Sequence, residues 1–417
     1  STTFEYGAAV NTTARHGVPI AANMMHRALL KQIHGKGSIT TASMPLPFTA
    51  RQTVLIGSIV SFFASLIILI GFSFIPTSYA VFLVKERESN AKHQQLISGV
   101  SIYAYWTSSL VWDFVSYQIP CWVTLGVFEA FNVADFTSTD DDRLTATILL
   151  LFFYGLSTST FTYILTYFFK SHTNAQIAVL IFNFLAMVMM IASFTMDRFP
   201  STCKTNATLK YIYMIIPGFS LGNGLSSISF LQLLPTFAAS CEDKAVDDID
   251  LDDYDSALDW KVAGTNILYL AVSPVIFFII TIAIDLFLSH PELLRTFSRD
   301  PTSLPPPPKR AVDEDVAAEE ERVRAMDPTQ DKDVVVLDQL RKCYAGGKHA
   351  VRGLSLGIPV GSVFGLLGVN GAGKTTTLKI LSGDEIPTAG GARIAGYDVL
   401  REQAKCRRLL GYTPQFD

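Results

Sequence analysis

The sequence predicts a multi-domain membrane protein, with a polytopic α-helical transmembrane domain followed by the start of an α/β domain. Hydrophobic residues make up 49% of its 417 residues and charged residues only 17%, against about 25% charged in ordinary soluble domains. Five charge-poor stretches are long enough to cross a bilayer, and a glycine-rich phosphate-binding motif follows them. With a net charge of −4, this composition disfavours a single soluble domain, a disordered chain and a nucleic-acid-binding protein.

The five apolar stretches predict membrane-spanning helices, because a hydrocarbon core about 30 Å thick requires roughly 20 apolar residues in a helix. Buried core helices of a large soluble protein are the alternative, and five charge-poor interiors argue against it. The transmembrane domain is predicted over residues 51–290, with spans at about 53–84, 102–131, 144–169, 173–196 and 262–288.

Three acidic residues fall inside these spans: Asp113, Glu129 and Asp285. A charge at the centre of a span costs roughly 2.5–3.5 kcal/mol, so each carboxylate is expected to have a partner or a wet cavity. Glu129 and Asp285 lie near span ends, which predicts that they contact the polar interface. Asp113 lies deeper, which predicts hydrogen bonding to another span rather than contact with a substrate.

The distribution of positive charge predicts the orientation of the spans. Lys and Arg accumulate in residues 85–100, at Lys170, and from Arg295 onward, so the loops after the first, third and fifth spans are expected in the cytosol. Two N-glycosylation sequons, beginning at Asn11 and Asn206, fall on the opposite side. The pattern does not distinguish the plasma membrane from an endomembrane.

The long external segment, residues 197–261, is expected to form short helices packed as a hairpin, because Pro217 and nearby glycines interrupt its apolar run. An acidic run within 247–255 then indicates a solvated loop in preference to a cation site. Cys203 and Cys241 bracket the hairpin in an oxidising compartment. A disulfide between them is therefore predicted.

The two ends of the chain have a different composition from the spans. Residues 1–50 contain neither a span nor a signal peptide, so we expect the C-terminal remnant of an extracellular domain, with a preceding span outside this sequence. Residues 291–330 contain a polyproline stretch and a charged helical segment, and are read as a semi-rigid cytosolic linker. Residues 331–417 alternate short apolar runs with turns, which predicts the N-terminal part of an α/β domain.

A phosphate-binding motif lies in this last region. Residues 368–375, GVNGAGKT, match G-x-x-x-x-G-K-[ST] in full, with a predicted strand at 363–367 before them and a predicted helix at 374–381 after them. Glycines let backbone N–H groups surround phosphates, and the helix N-terminus adds about half a positive charge. Lys374 is expected to reach the β- and γ-phosphates and the Thr375 hydroxyl to complete a Mg²⁺ shell. The motif predicts nucleotide binding.

The motif and its surroundings resemble the nucleotide-binding domain of ATP-binding cassette (ABC) transporters, which belongs to the P-loop NTPases. Phe-Gly-Leu-Leu at 364–367 precedes GVNGAGKTT at 368–376, and Tyr344 lies where the family places an aromatic that stacks on adenine. Gln415 matches the family's Q-loop glutamine, which contacts Mg²⁺ and the attacking water. The sequence Pro-Gln-Phe-Asp at 414–417 is typical of the A subfamily, the large lipid-handling exporters.

The membrane part resembles the second half of the proteins in the same subfamily. Residues 85–100 resemble its cytosolic coupling segment, and the resemblance covers nearly the whole chain, weakest over residues 1–50. It implies ATP and Mg²⁺ as cofactors, Gln415 as the catalytic residue, and Thr375 and Gln415 as metal contacts. The cofactor-binding residues it implies are Tyr344, Gly368, Asn370, Gly371, Gly373, Lys374, Thr375 and Thr376.

Several motifs of the family do not occur in the sequence: the signature, the Walker B aspartate, the catalytic glutamate and the switch histidine. Residues 381–385, Leu-Ser-Gly-Asp-Glu, look superficially like a signature, but they follow the phosphate-binding loop by one helix and end in two acids. We therefore expect the domain to be truncated after the Q-loop. As it stands, the chain holds half of one ATP site and is not expected to hydrolyse ATP alone.

The resemblance implies an integral, multi-pass, ATP-driven transporter with its nucleotide-binding domain in the cytosol. It implies a lipid or another amphipathic substrate moved toward the outer leaflet, and a second ABC half that completes the ATP site. Two alternatives remain open: an exporter of drugs or peptides, which shares the same ATP-binding machinery, and a non-transporting channel or receptor that binds ATP. No nucleic-acid partner is expected.

Overall fold

The structure, a computed structural model, describes residues 17–35, 48–242, 254–289, 313–326, 333–344, 347–411 and 413. The chain divides into two compact units, Ser1–Val54 and Leu55–Asp417. In the first unit, helix α1 (Gly17–His34) ends with Lys31 and His34 in its last turn. Cations at this end interact favourably with the carbonyl groups of the helix C-terminus.

Long helices occupy all five stretches predicted to span the membrane. Among the described residues, four helical stretches are long and apolar enough to cross a bilayer: Gln52–Glu88, Asp140–Thr166, His172–Met196 and Trp260–Ser289. The helices of the membrane domain are α2 (Ala50–Phe72), α3 (Phe74–Glu88), α4 (Ala91–Ile97), α5 (Ile102–Ala130), α6 (Ala134–Thr137), α7 (Arg143–Thr166), α8 (His172–Met196), α9 (Pro200–Tyr213), α10 (Pro217–Ser229), α11 (Leu234–Glu242) and α12 (Thr265–Ser289).

Helix α5, the second predicted span, is not among those four. Its 29 residues correspond to about 43 Å at the α-helical rise of 1.5 Å per residue, enough to cross a bilayer. Its polar and aromatic residues, such as Asp113, Gln118 and Trp122, lower its mean hydropathy. The helix packs against α7 and α12. That α5 spans the membrane therefore stays a prediction.

The segment predicted as a hairpin folds into short helices. A 3₁₀ turn, Leu231–Leu233, separates α10 from α11. Helix α10 is buried along almost its whole length and packs against α7, α8 and α12. Its glycines allow this approach, because a Cβ atom on Gly224 would lie 2.7 Å from a side-chain carbon of Leu150. Helix α10 therefore lies inside the helical bundle. Most of the acidic run, residues 247–253, lies outside the described residues.

The predicted disulfide between Cys203 and Cys241 is confirmed, with Cα atoms 5.9 Å apart. It joins α9 to α11, and Cys203 is buried. The other three cysteines, Cys121, Cys343 and Cys406, are free thiols. The disulfide closes a sequence separation of 38 residues.

Removing this disulfide is expected to destabilise the segment that contains α9, α10 and α11. Loop-closure entropy predicts that Cys203→Ala combined with Cys241→Ala lowers the free energy of unfolding by roughly 4 kcal/mol. Thermal unfolding in detergent measures the change, and Cys343→Ser, which removes a free thiol, is the control. Mass spectrometry of non-reduced peptides that found both thiols free in the wild type would contradict the pairing.

The sequon at Asn206 does not fit a glycosylation site. Asn206 lies within α9, and its side chain is fully buried. Its amide nitrogen donates hydrogen bonds to the Ser193 carbonyl at 2.9 Å and to Asp197 Oδ1 at 2.6 Å. An oligosaccharide on this nitrogen would replace one of its two N–H donors, so one of these bonds would be lost, and the buried side chain leaves no space for a sugar. Asn11 lies outside the described residues.

The predicted hydrogen bonding of Asp113 to another span is confirmed. Its carboxylate is buried and accepts a hydrogen bond from the Tyr163 hydroxyl of α7 at 2.6 Å. Its backbone carbonyl accepts a second bond from the Tyr79 hydroxyl of α3 at 2.9 Å. Asp113 therefore joins three helices of the bundle.

The prediction that Asp285 contacts the polar interface is wrong, although Glu129 is exposed at the end of α5. Asp285 is buried, and its Oδ2 atom lies 2.8 Å from Lys92 Nζ. The local sequence does not show this partner, because Lys92 precedes Asp285 by 193 positions. Asp285 therefore lies near the end of a span but interacts with a buried cation, Lys92, instead of with solvent.

The C-terminal part contains a four-stranded antiparallel sheet of order β2-β1-β3-β4. Residues from the sheet and two helices share an apolar core that includes Leu340, Ile380, Ile394 and Cys406. The strands are β1 (Asp333–Tyr344), β2 (Lys348–Pro359), β3 (Ala389–Ile394) and β4 (Tyr397–Asp398), and the helices are α13 (Glu314–Arg324), α14 (Lys374–Leu381) and α15 (Gln403–Leu409).

The linker region is partly a packed helix. Helix α13 lies against β1 and β2, where Arg322 forms an ion pair with Asp333 at 2.9 Å. The backbone N–H of Gly357 donates to Glu319 Oε1 at 2.8 Å. The polyproline stretch, residues 305–308, lies outside the described residues.

The predicted strand at 363–367 is absent from the sheet that the described residues form. Residues 362–369 have no strand conformation, and Val363 and Leu367 are exposed. The apolar run is typical of a strand, but a strand also requires a neighbour with which to exchange backbone hydrogen bonds. None of the four strands in the described part of the chain lies alongside this segment.

Candidate nucleotide-binding site

The phosphate-binding motif forms the connection between β2 and α14. The chain leaves β2 at Pro359, and α14 begins at Lys374 with Gly373 as its N-cap. The first backbone N–H groups of an α-helix have no partner within the helix, and they carry the positive end of its dipole. The motif therefore places Lys374 and Thr375 at a helix end suited to a phosphate.

Position 373 requires glycine for two reasons, its backbone conformation and the lack of space for a side chain. Its φ angle is +93°, in the region that favours glycine, and a Cβ atom there would overlap the carbonyl oxygen of Ala350 in β2. Gly371 also has a positive φ, +86°, but a Cβ there would meet open space. The two glycines therefore differ: Gly371 permits the turn, whereas Gly373 also brings the loop against the sheet.

Lys374 folds back across its own loop. Its ammonium donates hydrogen bonds to the carbonyl oxygens of Gly368 at 2.6 Å and Val369 at 3.1 Å. Gly368 and Val369 are both exposed residues, so an anion at the loop can compete for the ammonium. These two bonds hold the ammonium of Lys374 against the loop that precedes α14.

The neighbouring hydroxyl groups have different environments. Thr375 is exposed and Thr376 is half-buried, with its Oγ1 atom 3.4 Å from the Tyr344 hydroxyl. Thr377 is buried, and its hydroxyl donates to the Gly373 carbonyl at 3.1 Å. Thr375 is therefore the hydroxyl in this run that is open to a metal ion. Asn370 is exposed on the loop itself.

Tyr344, the last residue of β1, lies beside the loop, as the contact with Thr376 shows. The ammonium of Lys342 lies 5.2 Å from the centre of its ring. Lys342 also forms an ion pair with Glu385 at 2.6 Å and donates to the Ile386 carbonyl at 2.7 Å. The sequence does not suggest a role for Lys342, because the residues that hold it are more than 40 positions away.

The structure therefore brings together most of the predicted site residues. Tyr344 and residues 368–376 surround the start of α14. Gln415 lies outside the described residues. The cationic side chain and the helix N-terminus fit the triphosphate of a nucleotide. The exposed hydroxyl fits its metal ion, and the nearby aromatic ring fits its base.

A cleft of about 520 Å³ lies between the membrane domain and the segment that follows α14. His93 of α4 lines one wall, and Asp384, Gln403 and Arg407 line the other. Burial lowers the pKa of the His93 imidazole and the pKa of the Arg407 guanidinium. Since Asp384 comes shortly after α14, a single helix connects the phosphate-binding loop to this cleft.

Both the membrane part and the C-terminal part of the chain match known families. Residues 2–283 match the model described as ABC-2 family transporter protein, and residues 351–417 match the model described as ABC transporter. The second match begins within β2 and includes the phosphate-binding loop and α14.

Three similar proteins illustrate the relationship. ATP-binding cassette sub-family A member 7 of Rattus norvegicus is 34% identical over 420 residues, 98% of this chain and 18% of that protein. Retinal-specific phospholipid-transporting ATPase ABCA4 of Mus musculus is 31% identical over 423 residues, 98% of this chain and 17% of that protein. Phospholipid-transporting ATPase ABCA7 of Homo sapiens is 34% identical over 393 residues, 91% of this chain and 17% of that protein.

The chain thus spans less than a fifth of the length of these relatives. The ABC-2 transporter model alone matches more than half of the chain, and the similar proteins belong to sub-family A. The chain belongs to the ABC transporter family and, within it, to the A subfamily.

Proposed function

We propose that this chain is part of an ATP-driven transporter that moves phospholipid, or another amphipathic substrate, toward the outer leaflet. The observation that carries the proposal is the continuity from the phosphate-binding loop through α14 to the cleft at α4. Two of the similar proteins are named phospholipid-transporting ATPases. Their names support a phospholipid as the substrate.

Each residue of the candidate site has a distinct role in this proposal. ATP supplies the free energy of hydrolysis when it is bound with Mg²⁺. Lys374 contacts its β- and γ-phosphates, and the exposed Thr375 hydroxyl binds the metal. Tyr344 stacks on the base. Gln415 contacts the metal and the attacking water.

A second nucleotide-binding half completes the site in this proposal. A nucleotide at Lys374 is enclosed by the opposite half, and closure moves α14 and the segment up to Asp384. That segment lines the cleft together with His93, so the movement reaches α4. We place the nucleotide-binding domain, residues 331–417, in the cytosol with the coupling segment 85–100.

The remaining domain assignments belong to the same proposal. Residues 51–290 form the membrane domain, with the hairpin of residues 197–261 on the external side. Residues 1–50 belong to an extracellular domain, and residues 291–330 connect the membrane to the cytosolic domain. The disulfide between Cys203 and Cys241 supports the external placement, because disulfides persist in oxidising compartments.

Stimulation of ATP hydrolysis by candidate substrates tests the substrate class. The complete transporter, reconstituted in liposomes of a neutral synthetic lipid, is titrated with phospholipids of different headgroups, with amphipathic drugs and with short peptides. We expect phospholipids to raise the hydrolysis rate and the other two classes to leave it unchanged.

The same titration distinguishes the alternatives. Stimulation by drugs or peptides without stimulation by phospholipid would indicate an exporter of those compounds. ATP binding without hydrolysis under all conditions would indicate a channel or receptor. The Lys374→Met variant provides the background rate, because it lacks the ammonium that contacts the phosphates.

A further inference from the structure

A buried ion pair connects α4 to α12. Lys92 Nζ lies 2.8 Å from Asp285 Oδ2, with side-chain exposures of 8% and 9%. The indole N–H of Trp106 in α5 donates to the same carboxylate oxygen at 2.8 Å. One carboxylate of α12 therefore holds both the short helix α4 and the start of α5.

Aromatic rings surround the ammonium of Lys92. It lies 4.7 Å from the centre of the Tyr105 ring and 4.6 Å from that of Trp106. Burial lowers the pKa of Lys92 from its ordinary value, which reflects the removal of water from the ammonium. Desolvation of a buried pair costs about as much as its attraction returns, so such a pair is weak evidence for a role in stability. Its geometry instead fixes the position of α4.

The next residue along α4 faces the nucleotide-binding domain. His93 lines the cleft with Asp384 and Arg407, and α4 also packs against α15. Lys92 and His93 are adjacent in a helix of seven residues. A movement that reaches α4 at His93 is therefore applied directly beside the ion pair.

We propose that Lys92 and Asp285 are positioning residues that transmit movement of the nucleotide-binding domain from α4 to α12. The inference rests on the proposed function, and it assigns a specific residue pair to the transmission step. Without the pair, α4 retains its contacts with α3 and α15, but it loses its ionic connection to α12. Nucleotide binding then continues while α12 no longer responds.

The test measures the response of α12 directly. Ile279, an exposed residue of α12 that does not line the cleft, is replaced by a fluorescent non-natural amino acid in the complete transporter. In an otherwise wild-type protein, ATP is expected to change the emission. In the Lys92→Met, Asp285→Leu double variant, we expect this change to fall by at least about fivefold, the lower range of coupling between sites, with unchanged ATP affinity.

The double variant is preferred because a single substitution would leave one buried charge without a partner. If it does not fold, Lys92→Gln with Asp285→Asn provides the same comparison, since that pair removes the charges and keeps polar side chains. Lys92→Arg, which retains the charge, is expected to retain the response. The matched control is Arg143→Met with Asp135→Leu, because these two residues also form a largely buried pair, at 2.8 Å, and neither of them lies in residues 85–100 or lines the cleft.

Every outcome of this experiment either supports or overturns the inference. A full emission change in the double variant, or no ATP-dependent change in the wild type, overturns it. Phospholipid movement is recorded in the same vesicles. The wild type could show the ATP-dependent emission change without any phospholipid movement. That result would overturn the phospholipid assignment, but not the transmission through Lys92 and Asp285.

Discussion

Replacing Lys374 by Met is expected to reduce the affinity for ATP by about 100-fold, the equivalent of two charge-assisted hydrogen bonds of roughly 1.5 kcal/mol each. The ammonium lies over the loop, where it donates to the carbonyls of Gly368 and Val369. Met has a similar length but no charge and no donor. Titration of the purified chain with a fluorescent ATP analogue measures the affinity.

The control for this variant is Lys348→Met, which removes an exposed lysine at the start of β2. It changes the net charge of the domain by the same amount and leaves the loop intact. Unchanged affinity in Lys374→Met would show that the loop does not bind nucleotide through this lysine. An equal loss in both variants would indicate only a general electrostatic effect.

Replacing Gly373 by Ala is expected to impair nucleotide binding more than replacing Gly371 by Ala. Both residues have a positive φ angle, which costs a residue with a Cβ about 1–2 kcal/mol. Only at Gly373 does the Cβ also overlap the Ala350 carbonyl. That overlap displaces the loop from β2, so we expect ATP affinity in Gly373→Ala to be at least about tenfold lower than in Gly371→Ala, equivalent to about 1.4 kcal/mol.

The comparison between the two variants is informative because they share the same chemical change and nearly the same φ angle. The same titration with a fluorescent ATP analogue measures both affinities. Equal affinities in the two variants would contradict the role assigned to the contact between the loop and β2. Circular dichroism confirms that each variant retains its secondary structure.

Local patterns in the sequence predict the elements that depend on local composition. The predicted spans 144–169 and 173–196 differ by a few residues from α7 and α8. Long apolar runs define these helices without reference to the rest of the chain. The helix after the phosphate-binding motif likewise begins at Lys374 as predicted, because the glycines that precede it determine where it can start.

Features that depend on distant partners could not be predicted in the same way. Asp285 looks like an interfacial acid in its own segment, but Lys92 approaches it through the packing of three helices. The apolar run at 363–367 is typical of a strand, yet the described strands all pair elsewhere. Asn206 carries a complete sequon, and only its burial shows that the side chain is inaccessible.

ATP-dependent movement of a headgroup-labelled phospholipid in proteoliposomes tests the central claim most directly. The complete transporter is reconstituted with the labelled lipid, and a membrane-impermeant quencher reports which leaflet contains it. We predict that ATP moves the lipid into the leaflet opposite the nucleotide-binding domain, and that Lys374→Met abolishes this movement. Equal movement with and without ATP, or undiminished ATP-dependent movement in Lys374→Met, would contradict the claim that nucleotide at this loop drives transport.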